Sequence, residues 1–389
     1  MTTDTEEERE PEPGVEAPRA SSRRSFLKYV SATAASAAVG LAAGAAAGQY
    51  ACILSPPETI TRIETVTRTV AETFTLVYMD SLRLAAEARG LLIGSLADEM
   101  SLNDERFRPT LTREFNSLTG SLGPIEGEDS DAIIKFASQN QMKVRGTALI
   151  WHGGIPDSLN SGMSVGAFRS AMEKYIREVV GLYRGRVFAW DVVNEAVDSD
   201  GLRKTVFLEK LGEGYVAEAF RLAHEADPDA LLFYNDYDAE AAGGLQKAKS
   251  DRVYELVKKL VADGVPVHGV GLQMHLFAVE YPKPEDIAAN VRRLAALGLK
   301  VAISEMDVRI KDLPLLMPER LEMQRRIYHD VIAACIREKG FVGITFWGFT
   351  DAHSWINEMG QGPDHPLLFD ENCRPKPAYW GVMDALLGR

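Results

Sequence analysis

Short runs rich in β-branched and aromatic residues alternate with amphipathic stretches from about Ser81 to the end of the chain. Such runs predict buried strands, whereas apolar residues at spacings of three and four predict helices. The eight predicted strands are Leu91–Ala97, Phe115–Leu118, Lys143–Trp151, Val187–Asn194, Leu231–Asn235, Val267–Met274, Lys300–Ser304 and Gly343–Phe349. The predicted helices include Met172–Leu182, Tyr215–Ala226, Asp251–Ala262, Pro284–Ala296 and Glu319–Glu338.

Eight strand and helix alternations predict an α/β fold, a closed (β/α)8 TIM barrel whose strands are all parallel. A doubly wound sheet is the structural alternative, but it usually carries a glycine-rich phosphate-binding turn after its first strand. At that position the chain reads Leu96-Ala97-Asp98-Glu99, and no GxGxxG motif occurs elsewhere. Residues 81–389 are therefore predicted to form one barrel domain.

The first 80 residues differ from the rest in composition. Residues 1–22 are rich in Pro and Glu and are predicted to be a disordered acidic tail. Residues 23–54 begin with Arg23-Arg24 and continue into an Ala- and Gly-rich apolar run, which resembles a twin-arginine signal read by an export machinery for folded proteins. The apolar part, residues 29–54, is also long enough to anchor the chain in a membrane. Residues 55–80 carry a helical stripe and are predicted to be a spacer.

This leader predicts that the barrel acts outside the cytoplasm, either secreted or anchored to the outer face of the cell membrane. The net charge of −13 argues against nucleic acid as a partner, because binding phosphates needs a basic surface. The three cysteines, Cys52, Cys335 and Cys373, lack the CxxC spacing of zinc and redox sites. Cys335 and Cys373 could form a disulfide or stay as two free, partly buried thiols.

The carboxyl ends of the predicted strands carry residues that suit sugar chemistry. Functional groups of a (β/α)8 barrel gather at these ends. Glu195 follows the fourth strand and Glu305 the seventh, and glycoside hydrolysis uses two carboxyl groups, one to protonate the leaving oxygen and one to attack or stabilise the sugar. The other strand ends supply side chains that bind hydroxyl groups and sugar rings, namely His152, Asn235, Gln273, His275, Asp307 and Trp347.

Two segments around these glutamates are similar to the catalytic signatures of glycoside hydrolase family 10, the family of endo-β-1,4-xylanases. They are residues 190–196 (WDVVNEA) and 303–308 (ISEMDV). Other similar segments follow in the family's order, at residues 145–146, 151–152, 235–237, 271–276, 345–348, 354–355 and 366–379. The resemblance runs from about Leu82 to Ala385. It implies a TIM barrel that hydrolyses internal β-1,4 linkages of xylan or xylo-oligosaccharides by a retaining double displacement.

The resemblance also implies roles for individual residues. Glu195 corresponds to the acid/base and Glu305 to the nucleophile, and His275 and Asp307 correspond to the pair that supports the nucleophile. The implied substrate-binding residues are His152, Asn194, Gln273, Trp347 and Trp355, with Asn194 binding the sugar 2-hydroxyl. No cofactor and no metal are expected, because the amide and the indoles beside the histidines suit a sugar better than an ion.

The chain departs from the family pattern after the second strand. Where the family normally has a Glu-Asn-x-Met-Lys run that grips the next sugar, residues 120–125 read GSLGPI, and Thr147 replaces an expected histidine. Loss of several hydrogen-bonding groups weakens or redirects binding at one subsite. Two alternatives therefore stay open: a β-glycosidase acting on another or shorter β-linked glycan, and a carbohydrate-binding protein that lacks turnover.

An esterase-like motif, Gly162–Gly166 (GMSVG), also occurs in the chain. A nucleophilic serine of this type needs a strand running directly into the turn. The residues before Ser164 read as a loop, so Ser164 is predicted to cap the helix that follows rather than to attack a substrate.

Overall fold

The computed structural model of the protein describes residues 80–104, 107–123, 128–359 and 363–389. The predicted acidic tail, the twin-arginine segment, Cys52 and all of the predicted spacer except Asp80 lie outside these residues. Within the described ranges, none of the helices combines the length and the apolarity needed to cross a bilayer.

Eight parallel strands close into a barrel, which confirms the predicted (β/α)8 fold. Each strand pairs with the next along the chain, and the last pairs with the first, where Ile93 lies opposite Ile344. The strands are β1 (Leu92–Leu96), β2 (Ser117–Gly120), β3 (Lys143–Gly146), β4 (Ala189–Asn194), β5 (Leu231–Asp236), β6 (Gly269–Leu272), β7 (Lys300–Arg309) and β8 (Phe341–Phe346).

Helices occupy the connections between these strands, and further helices precede the first strand and follow the last. The described helices are α1 (Leu82–Glu87), α2 (Glu99–Asn103), α3 (Arg108–Glu114), α4 (Glu128–Gln139), α5 (Val165–Leu182), α6 (Val206–Leu211), α7 (Tyr215–Ala226), α8 (Lys247–Ala262), α9 (Pro284–Ala295), α10 (Met317–Cys335), α11 (Trp355–Glu358) and α12 (Pro377–Leu387). Short 3-10 turns span Gly244–Gln246 and Asp351–His353.

Burial explains why these segments form these elements. All six residues of β4 are buried, as expected for a parallel strand covered on both faces. Helix α7 buries one apolar stripe, consisting of Tyr215, Val216, Ala219, Phe220, Leu222 and Ala223. The strands and the inner stripes of the helices thus share a large hydrophobic core, and a small second cluster consists of Ala189, Phe233 and Ala302.

The boundaries of two elements differ from the predictions for local reasons. Helix α5 begins at Val165, seven residues before the predicted Met172, because the Ser164 hydroxyl accepts a hydrogen bond from the Ala167 N–H at 3.3 Å. Ser164 is therefore a helix cap, as predicted. Strand β7 continues past Ser304 because its last residues pair with the short strand His275–Phe277.

The two cysteines of the barrel, Cys335 and Cys373, are both buried, and no disulfide joins them. Of the two states that the sequence left open, the fold therefore has the one without a disulfide. Burial raises the pKa of the Cys335 thiol to about 12, so this thiol stays protonated at neutral pH and is poorly reactive.

Irregular pairing marks the two strands that lead to the predicted carboxylates. The register between β7 and β8 shifts between Ile303 and Met306, and the register between β4 and β5 shifts between Asp191 and Val193. Such irregularities turn side chains to new directions and are common beside active sites. Glu305 lies within the first of them.

Candidate active site

Glu195 is the first residue after β4, and its backbone is left-handed. Its φ is +57°, and its N–H donates to the carbonyl oxygen of Asn235 at 2.8 Å. A left-handed conformation is uncommon for a residue with a Cβ and costs roughly 1–3 kcal/mol, so the surrounding structure must impose it. The result is a carboxyl group whose direction is set by contacts beyond its own strand.

The Glu195 carboxyl group accepts two amide hydrogen bonds. Its Oε1 atom accepts from Gln273 Nε2 at 3.0 Å and from Asn194 Nδ2 at 3.2 Å. Its Oε2 atom lies 3.9 Å from His152 Nε2. Burial lowers the pKa of His152 and the cations of Arg203 and Lys249 lower it further, whereas the Glu195 carboxylate opposes them. The net lowering makes His152 neutral at pH 7.

Glu305 is buried within the bulge of β7. Its Oε1 atom accepts from Asn235 Nδ2 at 2.6 Å, and its Oε2 atom lies 3.3 Å from His275 Nε2. Burial raises the pKa of Glu305 above its ordinary value, and the Asp191 carboxylate adds to that effect. His275 and Asn235 act in the opposite direction and favour the ionised form.

His275 joins Glu305 to a second buried carboxylate, Asp307. The Nδ1 atom of His275 lies 2.9 Å from Asp307 Oδ2, and Trp355 Nε1 donates to the same oxygen at 2.8 Å. Burial alone would lower the pKa of His275, but the carboxylates of Asp307 and Glu305 outweigh it and raise that pKa to about 10. His275 is therefore a cation at neutral pH and donates from both ring nitrogens.

Asn235 is a site residue to which the sequence analysis assigned no individual role. It is fully buried, donates to Glu305 Oε1, and also donates to Asn194 Oδ1 at 3.0 Å. Gln273 Nε2 donates to the same Asn194 oxygen at 3.2 Å. An unbroken hydrogen-bond network of three amides thus connects the two carboxyl groups. The available signal was the position of Asn235 at the end of the fifth strand.

Two tryptophans border this network beside the His275 ring. The ring centres of Trp355 and His275 lie 5.1 Å apart, and those of Trp347 and His275 lie 6.3 Å apart in an edge-on arrangement. The structure thus brings all nine residues singled out from the sequence into one contact network, namely His152, Asn194, Glu195, Gln273, His275, Glu305, Asp307, Trp347 and Trp355. Two carboxyl groups and flat apolar faces meet there at one end of the barrel.

A buried ion pair lies close beneath the site. Arg145 Nη2 donates to Asp191 Oδ1 at 2.5 Å, and the guanidinium stacks on the Phe233 ring with its carbon 4.6 Å from the ring centre. Gly271 makes this packing possible, because a Cβ there would lie 2.2 Å from Asn235 Oδ1 and 2.8 Å from Arg145 Nη2. The Asp191 carboxylate of this pair is close enough to Glu305 to raise its pKa.

The stretch that departs from the family pattern offers few polar groups. Gly120 ends β2, and the Leu122 side chain is buried at 3% exposure. The Gly123 backbone is held by the Ser130 hydroxyl, which accepts from its N–H at 3.3 Å, and by Tyr183, which donates to its carbonyl oxygen at 3.2 Å. In the described part of this stretch, Ser121 is the one polar side chain.

A trio of possible metal ligands lies elsewhere among the described residues, at Asp351, His365 and Glu371. The Lys376 ammonium lies 2.6 Å from Asp351 Oδ2 and also donates to the His365 carbonyl oxygen at 2.7 Å. A cation of the protein therefore already neutralises the buried carboxylate of the trio.

Comparison with known sequences places the barrel among glycoside hydrolases. Residues 81–385 match the model of Glycosyl hydrolase family 10. The Beta-1,4-xylanase of Dictyoglomus thermophilum is 35% identical over 340 residues, which cover 77% of this chain and 93% of that protein. Endo-1,4-beta-xylanase B of Thermotoga neapolitana is 36% identical over 325 residues, which cover 78% of this chain and 91% of that protein.

Solved structures of similar proteins superpose on the same region. Xylanase 10B from Thermotoga petrophila RKU-1, crystallised in complex with xylobiose, has a TM-score of 0.73 at 36% identity, covering 80% of this chain and 98% of that one. Native xylanase 10B from Thermotoga maritima has a TM-score of 0.73 at 36% identity, covering 79% and 98%. The fold and the sequence matches agree over the whole barrel, and the chain belongs to glycosyl hydrolase family 10.

Proposed function

We propose that the protein is a retaining endo-β-1,4-xylanase that hydrolyses xylan or xylo-oligosaccharides by double displacement. The observation that carries the proposal is the amide network of Gln273, Asn194 and Asn235, which connects the carboxyl groups of Glu195 and Glu305. Two carboxyl groups facing one sugar are what this mechanism requires. The names of the relatives, all xylanases, favour xylan as the polymer.

In the first step Glu305 acts as the nucleophile and Glu195 as the general acid. The ionised Glu305 carboxylate forms a bond to the anomeric carbon while the bond from that carbon to the leaving oxygen breaks, and Glu195 gives its proton to the leaving oxygen. The protonated His275 and the Asn235 amide favour the ionised form of Glu305 against the effect of burial. Asp307 keeps His275 protonated and oriented.

In the second step Glu195 acts as the general base. It takes a proton from a water molecule, whose oxygen attacks the anomeric carbon and releases the Glu305 carboxylate. Two inversions at one carbon retain its configuration. Asn194 would bind the sugar 2-hydroxyl, and His152, Gln273, Trp347 and Trp355 would form the walls around the ring.

A reducing-sugar assay on xylan, β-glucan and mannan tests the reaction and its substrate, with Glu305→Ala as the control. We expect release from xylan by the wild-type protein and a loss of at least about 10³-fold in the variant. Proton NMR of the first product should show the β-anomer. An α-anomer would contradict the retaining mechanism, and no release from any polysaccharide or aryl glycoside would leave only a carbohydrate-binding role.

A second candidate is a β-glycosidase that acts on another or shorter β-linked glycan. The few polar groups at Gly120–Gly123 favour it, because a neighbouring sugar would find few hydrogen-bond partners there. Comparison of kcat/KM on xylobiose, xylotetraose and polymeric xylan separates the two. An endo-acting xylanase prefers the longer chains, whereas the second candidate prefers short ones or a different sugar.

We further propose that the barrel is exported and acts outside the cytoplasm, secreted or anchored by residues 29–54. Arg23-Arg24 ahead of a weakly hydrophobic segment supports recognition by the export machinery for folded proteins. Replacing both arginines by lysine should leave activity inside the cell. Cell fractionation of the wild-type and variant proteins measures this, and equal export of both would contradict the proposal.

A further inference from the structure

A short hairpin follows Glu195 directly and returns the chain to it. Residues Val197–Asp198 pair in antiparallel fashion with Gly201–Leu202. The next residue, Arg203, donates its N–H to the carbonyl oxygen of Ala196 at 2.8 Å. The backbone of Arg203 is therefore fixed beside the residue that carries the catalytic carboxyl group.

The Arg203 guanidinium binds the backbone of Glu195 itself. Its Nε atom donates to the Glu195 carbonyl oxygen at 3.0 Å, within the left-handed turn at φ +57°. A non-glycine residue leaves this conformation unless its neighbours stabilise it. A charged donor forms a stronger hydrogen bond to a carbonyl oxygen than a neutral one. Arg203 therefore stabilises the turn that aims the Glu195 side chain.

Two further contacts hold the guanidinium in place. Its Nη2 atom donates to the Tyr237 hydroxyl at 2.9 Å, just after the end of β5, and its Nη1 atom lies 3.5 Å from Asp198 Oδ2 in the hairpin. The Arg203 side chain is 18% exposed. The planar group thus spans the ends of β4 and β5 with a separate atom for each partner, which a lysine could not do.

From this geometry we propose that Arg203 is a positioning residue for the acid/base carboxyl group. The inference rests on the proposed function, in which Glu195 is the acid/base. Arg203 acts by fixing the backbone of Glu195, so that Glu195 Oε1 stays on the amides of Gln273 and Asn194 and its proton faces the leaving oxygen. Its own atoms need not touch the substrate.

This role gives Arg203→Met a signature that depends on the leaving group. A phenyl leaving group needs a proton from Glu195, whereas a 2,4-dinitrophenyl group leaves without one. We expect kcat/KM on phenyl β-xylobioside to fall about 100-fold, because small displacements of a catalytic group cost that much. On 2,4-dinitrophenyl β-xylobioside kcat/KM should stay within about threefold of the wild type, because its first step needs no acid.

The second step supplies an independent measurement. Glu195 must activate water there, so kcat of Arg203→Met on the dinitrophenyl substrate should fall and added azide should restore it. Azide attacks without a general base, and the product would be β-xylobiosyl azide. The rates of Arg203→Lys should lie between those of the wild type and Arg203→Met, because one ammonium group can keep only part of the contacts of the guanidinium.

Arg252→Met is the matched control. Arg252 Nε also donates to a backbone oxygen of the same hairpin, that of Ser199 at 2.7 Å, but the bond is exposed and away from Glu195. Its kcat/KM on both substrates should stay within about twofold of the wild type. Thermal unfolding of each variant verifies that it folds. If Arg203→Met does not fold, Arg203→Lys is compared with the wild type instead.

The outcomes separate the inference from the function on which it rests. The positioning role would be overturned if a folded Arg203 variant lost kcat/KM equally on the phenyl and the dinitrophenyl substrate. It would also be overturned if kcat/KM fell on neither substrate. A wild-type protein that hydrolyses neither aryl xylobioside, nor xylan, would instead refute the proposed function. A loss of kcat/KM on the phenyl substrate alone, together with rescue of kcat by azide, would support both the positioning role and the proposed function.

Discussion

His275 lies between Asp307 and Glu305 and is close to both carboxylates. Its Nδ1 atom is 2.9 Å from Asp307 Oδ2, and its Nε2 atom is 3.3 Å from Glu305 Oε2. The two carboxylates raise the pKa of His275 to about 10 against the effect of burial. The imidazolium in turn favours the ionised form of Glu305, so protonation of His275 and protonation of Glu305 are coupled.

Replacing Asp307 by Asn should weaken the charged hydrogen bond from His275 to Glu305 at high pH. Without the Asp307 charge the pKa of His275 falls, so His275 loses its proton at a lower pH and Glu305 loses a charged donor. We expect kcat to drop by about 100-fold at neutral pH. On the 2,4-dinitrophenyl substrate, whose first step needs no acid, the basic limb of the kcat/KM profile should move to lower pH. Asp227→Asn, a buried carboxylate bonded to the backbone at Gly185 and Asp229, is the control. An unchanged basic limb in Asp307→Asn would contradict the prediction.

Replacing Asn235 by Ala should move the acidic limb of the pH profile of kcat/KM instead. The variant loses the donor that lies 2.6 Å from Glu305 Oε1, while burial continues to raise the pKa of that carboxyl group. Because the nucleophile must be ionised, the acidic limb of kcat/KM should shift to higher pH, with the largest losses below neutrality. Ser304→Ala, which removes only the hydroxyl donating to Asn235 Oδ1, should give a smaller shift. A shift to lower pH would show that another group controls this limb.

Glu240 predicts a pH dependence of stability. Burial is the main cause that raises its pKa to about 7 from an ordinary 4.5, and its Oε1 atom accepts from the Met274 N–H at 3.1 Å. Between about pH 4.5 and 7 the folded protein keeps a proton that the unfolded chain releases, so this group's stabilising contribution is lost as pH rises through 7. The loss is on the order of 3 kcal/mol.

Glu240→Gln keeps an acceptor for Met274 but cannot ionise. We expect its free energy of unfolding, measured by urea denaturation at several pH values, to decline less than that of the wild type between pH 4.5 and 7. Glu255→Gln, at an exposed position of α8, serves as the control. Parallel curves for wild type and Glu240→Gln would rule out the buried titration.

The Arg145–Asp191 pair predicts a large loss of stability when one partner is removed. Asp191→Ala leaves a buried guanidinium without its carboxylate, which costs about 3–5 kcal/mol. The partly exposed Arg325–Asp384 pair is the matched control, and Asp384→Ala should cost less than about 1 kcal/mol. Urea denaturation measures both, and similar losses in the two variants would contradict the role of burial.

The sequence predicted much of the fold because the signals for its elements are local. Eight β-rich runs and the amphipathic stretches between them were enough to predict a closed barrel, and helix α7 agrees with its predicted bounds of Tyr215–Ala226. The ends of the strands and the family signatures then singled out Glu195 and Glu305. The predictions for residues 1–79, including the twin-arginine segment, stay predictions.

Other features depend on contacts between residues that are distant in the chain. Asn235 was visible only as the end of a strand, and its place between Asn194 and Glu305 follows from the register of β5 against its neighbours. The link from Arg203 to Tyr237 likewise needs β4 and β5 side by side.

The sequence by itself determined which residues end the strands, because hydrophobic periodicity and turn signals act over a few residues. Only the tertiary structure decided which of these ends meet, and which way Glu195 and Glu305 point. Closure of the barrel, the register shifts in β4 and β7 and the left-handed turn at Glu195 set those directions. A shift of one residue in a strand turns its side chains to the other face, so this information lies in the pairing of strands and not in any one of them.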